Sequence, residues 1–168
     1  MKNLILLSIL FIGLFANSQS QSQKADLSKD YDGQINLKDG IVTKESKRSF
    51  EDTYNTLKSA LEANPAISIM AEIDHKKNAE KNGLELSPTR LIIFGNPNMG
   101  TPLMQKEQSI ALDLPQKMLV WENAEGKVFV SFNDPFYVAE RHSVKNNDEL
   151  LDKLDNALNN LAKKAAGL

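Results

Sequence analysis

His75 and His142 are the only histidines in this chain, and so the side chains whose ordinary pKa lies nearest neutrality. Each stands beside charged residues, in Asp74-His75-Lys76 and in Arg141-His142. A histidine so placed can act as a general base, a metal ligand or a polar cap. As a general base His75 would need an orienting carboxylate, for which Asp74 and Asp113 are the candidates. A metal site would need both histidines together with Asp or Glu, because the chain has no cysteine. No H-x-x-x-H spacing occurs, so no metal site is expected. The plainer reading of both residues is a helix-terminal or surface histidine. Glu72, Glu122 and Glu125 make no recognisable carboxylate pair, and there is no G-x-S-x-G elbow.

The other polar candidates lie in one stretch, Thr89 to Asp113. Leu91-Ile92-Ile93-Phe94 has the pattern of a strand covered on both faces. Gly95-Asn96-Pro97-Asn98 breaks it, and Gly100-Thr101-Pro102 reads as a helix start, with Thr101 as N-cap and Pro102 in the first turn. Free N–H groups at such a helix start would accept an anion. Asn96, Gly100 and Thr101 are therefore the first candidates for a ligand, and His75, Asp113 and His142 further ones. Turn and cap chemistry alone also accounts for all of them. The spacing Gly95-x-x-x-x-Gly100-Thr101 lacks the lysine of a phosphate loop.

The elements that must hold these residues can be read from periodicity. A first strand is expected over Gly40–Ser46, with a short additional one at Gly33–Leu37. Ser49 caps a helix whose stripe is Phe50, Tyr54, Leu57 and Leu61. Ala66–Asp74 alternates as a strand with Ile67, Ile69, Ala71 and Ile73 on its buried face. His75–Asn82 is a helical turn stopped by Gly83, and a helical segment runs from Thr101 to about Ala111. Lys117–Asn123 and Lys127–Phe132 form a hairpin, with Trp121 read as core. A short helix follows Asp134-Pro135, and Leu150, Leu151, Leu154, Leu158 and Leu161 line a terminal helix over 148–165. The fold class is α+β: an antiparallel sheet of about four to five strands with helices on one face, in the order β-α-β-β-β-β-α. Met118 and Val120 oppose Leu119 and Trp121 across one strand, so something must cover the second face. If the strands ending at Asp74 and beginning at Thr89 form an antiparallel hairpin, His75 lies at the opposite end of the sheet from Asn96.

The blocks PTRLIIFGNPNMGTPLMQ, ALDLPQKMLVWEN and VSFNDPFYVAERH, preceded by EIDHKKNAEKNGLEL, resemble the domain of unknown function 302 family over about Gly40 to Val144. The resemblance implies the same β-α-β-β-β-β-α order and a homodimer. It does not imply a biochemical activity, and it leaves any cofactor unknown. His75 and His142 both fall inside the matching blocks.

Length and charge bound the rest. The chain has 168 residues, 41% hydrophobic and 25% charged, which suits one globular domain. Its formal net charge is −2 and no basic cluster is present, so a nucleic-acid partner is not expected. Lys2 precedes a 13-residue apolar core, Leu4–Ala16, with small residues before Gln19. Residues 1–18 read as a cleaved secretory signal, which leaves no stable membrane anchor and a periplasmic or secreted domain. Cleavage removes one lysine and makes the charge −3, from 19 basic and 22 acidic residues. Residues 19–38 read as a flexible spacer and 39–168 as one domain. With no cysteine there is neither a disulfide nor a thiol nucleophile.

The sequence thus favours a non-catalytic module of the cell envelope that binds a small ligand, an anion among the candidates, or that acts as a dimeric interaction domain. The alternative is a hydrolase-like or other enzyme with His75 as general base.

Overall fold

A computed structural model of the chain describes residues 34–37 and 40–168. The expected signal segment and most of the spacer lie outside the described residues. The elements run β1 Gln34–Leu37, β2 Ile41–Glu45, α1 Phe50–Glu62, β3 Ser68–Asp74, α2 His75–Glu80, β4 Thr89–Gly95, α3 Pro97–Lys106, a 3-10 turn Gln108–Leu112, β5 Gln116–Glu122, β6 Val128–Asn133, α4 Pro135–Arg141 and α5 Asp148–Ala166. From β2 onward the principal elements follow the expected β-α-β-β-β-β-α order. Among the described residues the sheet has six strands in the order β1-β2-β6-β5-β4-β3, every neighbouring pair antiparallel. The sixth is β1, the short additional strand expected at Gly33–Leu37, which takes the end of the segment read as spacer into the sheet.

Helices α1 and α5 pack on each other and on one face of the sheet. Ser49 caps α1 as its type predicts: its hydroxyl accepts from the Asp52 N–H and donates to the Asp52 carboxylate. Leu57 and Leu61 of α1 and Leu158 of α5 meet Ile92, Met118, Val120 and Val130 of the sheet in a fully buried layer. Burial of each of these larger aliphatic side chains contributes about 1.5–3 kcal/mol. Phe94 of β4 and Phe132 of β6 complete this face.

The other face carries Leu91, Ile93, Leu119 and Trp121, all half-buried. Trp121 is therefore not in the core. Its ring stacks on Phe129 with centroids 4.6 Å apart, and its Nε1–H donates to Ser131 Oγ at 2.9 Å. Cross-strand stacking on a half-exposed face satisfies the indole at both its apolar and its polar end.

The alternation of β3 is also interrupted. Ile69 pairs with Phe94, but Ala71 pairs with Ile93, so a bulge lies at Met70. A bulge moves the following residues to the other face. Ile69 thus shares the helix-covered face with Phe94, while Ala71 and Ile73 share the opposite face with Ile93 and Leu91. Glu72 takes the helix side, where Tyr54 Oη donates to it at 2.7 Å.

Candidate functional site

The β3–β4 hairpin separates the candidate residues into two groups. Asp74 pairs with Arg90 at one end and Ser68 with Gly95 at the other, about 20 Å away along the strands. His75 belongs to the first end and Asn96 to the second, as antiparallel geometry requires.

At the first end His75 opens α2, half-buried and with no side-chain hydrogen-bond partner among the described residues. Asp74 does not orient it. One Asp74 oxygen accepts from the Lys77 N–H at 2.9 Å and caps α2; the other accepts from Arg90 Nε at 3.0 Å. The rest of the Arg90 fork donates to both oxygens of Glu51 at 2.8 Å. The same guanidinium lies 5.1 Å and 5.2 Å from the ring centres of Phe50 and Tyr54. Burial pushes the Asp74 pKa up, but the Lys77 amide and Arg90 outweigh it, and the net direction is down. Glu72 is lowered chiefly by its hydrogen bond from Lys58, then by that from Tyr54; the Tyr54 hydroxyl is raised, by burial first and Glu72 second. Every charge in this network has an opposite partner, and the adjoining crevice holds only about 100 Å³.

At the other end α3 begins earlier than expected. Asn96 is its N-cap and Pro97 its first residue, so Thr101 lies inside the helix and Pro102 is an interior proline. Asn96 Oδ1 accepts from the Asn98 N–H at 3.0 Å, and the Asn96 carbonyl accepts from Met99 and Gly100. Pro97 has no N–H to offer. The first turn of α3 is therefore satisfied internally, and the expected anion-accepting start at Thr101 does not form. Asn-Pro supplies both a capping side chain and a preset φ, which outcompetes the later Thr-Pro pair.

Asn96, Gly100 and Thr101 instead line a cavity of about 510 Å³ between α3, α5 and the ends of β3, β4 and β5. Its wall is mainly apolar: Ile67, Met70, Phe94, Met99, Met104, Leu114, Leu154, Leu158 and Leu161, with Ala157 at an exposed position. The polar lining consists of Asn64, Asn96, Thr101, Gln116 and Lys153, with no carboxylate. Sequence reasoning found the α3 side of this cavity and missed the rest. The α5 residues read as core stripe, and nothing in the spacing of Met70, Met99 and Met104 joins them. Gly100 narrows the wall least: a Cβ built there would meet Met104 and Leu114 at 3.7 and 3.8 Å, ordinary contact distances.

Asp113 and His142 form a third group. His142 is buried, with Nε2 2.7 Å from Asp113 Oδ2 and Nδ1 3.0 Å from Ser109 Oγ. Arg141 Nη1 lies 3.3 Å from the same Asp113 oxygen. In the neutral ring, Nε2–H donates to the carboxylate and Nδ1 accepts from the serine hydroxyl. This is a Ser-His-Asp set, joined by residues 33 and 29 positions apart, that no local motif signals. Its surroundings do not suit acyl transfer. The Ser109 N–H, an oxyanion donor in one known arrangement of such a set, donates instead to Glu107 Oε1 at 3.1 Å, and that negative charge would oppose a developing oxyanion. None of the three residues lines the cavity. The set ties the 3-10 turn to the C-terminus of α4, where His142 is also the C-cap.

Among the described residues no group of three or more Asp, Glu or His could hold a metal ion, and no helix is long and apolar enough to cross a membrane.

Fold and site together define an α+β domain with an antiparallel sheet, a helical layer on one face and an apolar cavity at the sheet's end. The chain belongs to the family described as domain of unknown function DUF302, whose profile matches residues 42–161. It is similar to "Fluoride-specific ion channel FluC 1" of Brucella suis biovar 1 (strain 1330), 38% identical over 135 residues, covering 80% of this chain and 53% of that protein. A protein of the same name from Brucella abortus biovar 1 (strain 9-941) is also 38% identical over 135 residues, covering 80% of this chain and 50% of its own length. The chain thus spans about half the length of these curated relatives. A crystal structure of an uncharacterized conserved DUF302 protein from Bacillus stearothermophilus shares the fold, with a TM-score of 0.67 at 13% identity, covering 75% of this chain and 98% of that one.

Proposed function

We propose that the domain is a non-catalytic module of the cell envelope that holds a small, mainly apolar ligand in the cavity between α3, α5 and the sheet. The cavity itself carries this reading. Its volume of about 510 Å³ falls in the range of small-molecule sites, and its wall is mainly apolar with a few polar groups at hand, of which only Lys153 is charged. The fluoride-specific name of the relatives brings an anion forward as the competing ligand. The closed first turn of α3 and the apolar wall favour the larger apolar body. The enzymatic alternative is less well supported, because the His75 side chain has no orienting carboxylate and does not line the cavity.

The test is a titration with the uncharged fluorescent probe 1-N-phenylnaphthylamine, run beside sodium fluoride. Saturable one-to-one binding of the probe, abolished by Ala157→Trp, is the expected result. Saturable amide shifts with fluoride at the cavity residues, without probe binding, would replace this reading with the anion one.

We further propose that two copies pair through the open sheet face, where Leu91, Ile93, Leu119 and Trp121 form a half-buried apolar row. Light scattering at micromolar concentration should return twice the chain mass, and Leu119→Lys should return the single mass. A single mass for the unaltered chain would end this proposal.

A further inference from the structure

We infer that the cavity ligand is an aliphatic amphiphile with one acidic head, of the class of a medium-chain fatty acid; this rests on the cavity reading above. Three features point to that chemistry.

The first is charge. Among the lining residues Lys153 is the one ionised group, and no Asp or Glu is part of the lining. An acid entering the cavity meets a cation in the wall itself, whereas the nearest counter-charge for an amine, Glu149, stands outside the lining and is already paired with Lys153. The second is the state of that lysine. Its partner is Glu149 at 2.6 Å, one turn away on the same helix, with side-chain exposures of 63% for Lys153 and 87% for Glu149. An exposed i,i+4 pair holds its ammonium weakly, so Lys153 can share or transfer its hydrogen bonds to a ligand head at small cost. The amides of Asn64, Asn96 and Gln116 and the Thr101 hydroxyl supply further uncharged polar groups in the same wall. The third is the wall. Met70, Met99 and Met104 present unbranched, soft side chains that repack around a flexible body, which suits a polymethylene chain more than one rigid shape. The acyl chain would then lie among these methionines, Phe94 and Leu158, with its carboxylate at Lys153.

Three probes of equal chain length separate the terms: decanoate, decanol and decyltrimethylammonium, each below its micelle concentration, followed by calorimetry on the full chain. Decanoate should bind one-to-one and about fivefold more tightly than decanol, the scale of one exposed charge pair. Decyltrimethylammonium should be the weakest. In Lys153→Gln the ratio of decanoate to decanol affinity should fall to near unity, and Ala157→Trp should block all three. If the three probes bind equally, or the ratio is unchanged in Lys153→Gln, the acidic-head assignment is overturned and the apolar cavity reading stands. If none of them binds and 1-N-phenylnaphthylamine does not bind either, both fall.

Discussion

The two ends of the β3–β4 hairpin are built from similar numbers of polar residues and do opposite things. At the Asp74–Arg90 end the polar groups are ionised and close on one another: Arg90 on Glu51 and Asp74, Lys58 and Tyr54 on Glu72. At the Gly95–Asn96 end they are mostly uncharged, spread around 510 Å³ of space, and backed by apolar side chains. Charges that have found each other make a support, with little room left for a ligand. Amides and a hydroxyl beside an unfilled apolar volume leave hydrogen-bonding capacity and room together. The candidates richest in apparent chemistry, His75 and Asp74, therefore belong to the supporting end.

This contrast can be broken at several points. Phe94→Ala removes a buried ring between the core and the cavity and should cost about 3–5 kcal/mol in a denaturant titration. A loss below about 1 kcal/mol would mean that β4 is not the central support of the cavity. Arg90→Met leaves two carboxylates and two aromatic faces without their cation. It should cost about 1–3 kcal/mol while leaving probe affinity unchanged. Weakened probe binding in a variant that remains fully folded would show that the two ends are coupled.

Ala157→Trp should do the reverse. Because Ala157 is exposed, stability should move by no more than about 0.5 kcal/mol, while probe affinity falls at least about tenfold. Gly100→Ala should stabilise the domain by about 0.5–1 kcal/mol, since the Cβ fits and alanine is the better helix former. Destabilisation there would mean that the wall cannot take a methyl group.

The smallest effect is a pH dependence confined to the supporting end. Glu72 and Asp74 have lowered pKa values in the folded state. Such groups stabilise the fold above their unfolded pKa, near 4, and that contribution disappears as the pH falls through the folded values. Acid titration should therefore show a loss of stability beginning near pH 4 that is reduced in Glu72→Gln. Affinity for the uncharged probe should stay level from about pH 5 to 8, because no carboxylate lines the cavity. A probe affinity that follows the acid transition of Glu72 would contradict the separation of the two ends.

Much of this architecture follows from sequence alone. Apolar spacing places α1, α5 and β4, Ser49 and Asp134 mark the starts of α1 and α4, and the family blocks order the elements. Local side-chain periods and cap chemistry act over a few residues, so they can be read along the chain. Hairpin logic also separates His75 from Asn96 without a structure. Three matters were decided only in three dimensions. The α3 start fell to Asn96 because two cap-and-proline pairs compete, and the geometry that closes the first turn chooses between them. The bulge at Met70 reversed the face of Ala71 and Ile73, because strand register depends on the partner strand and not on alternation by itself. The cavity, and the Ser109–His142–Asp113 clasp beside it, join residues from separate elements, Lys153 and Leu158 to Asn96 in one case and residue 109 to 142 in the other. Such sites exist only where packing leaves space or brings distant side chains within hydrogen-bond reach, and no local pattern encodes either.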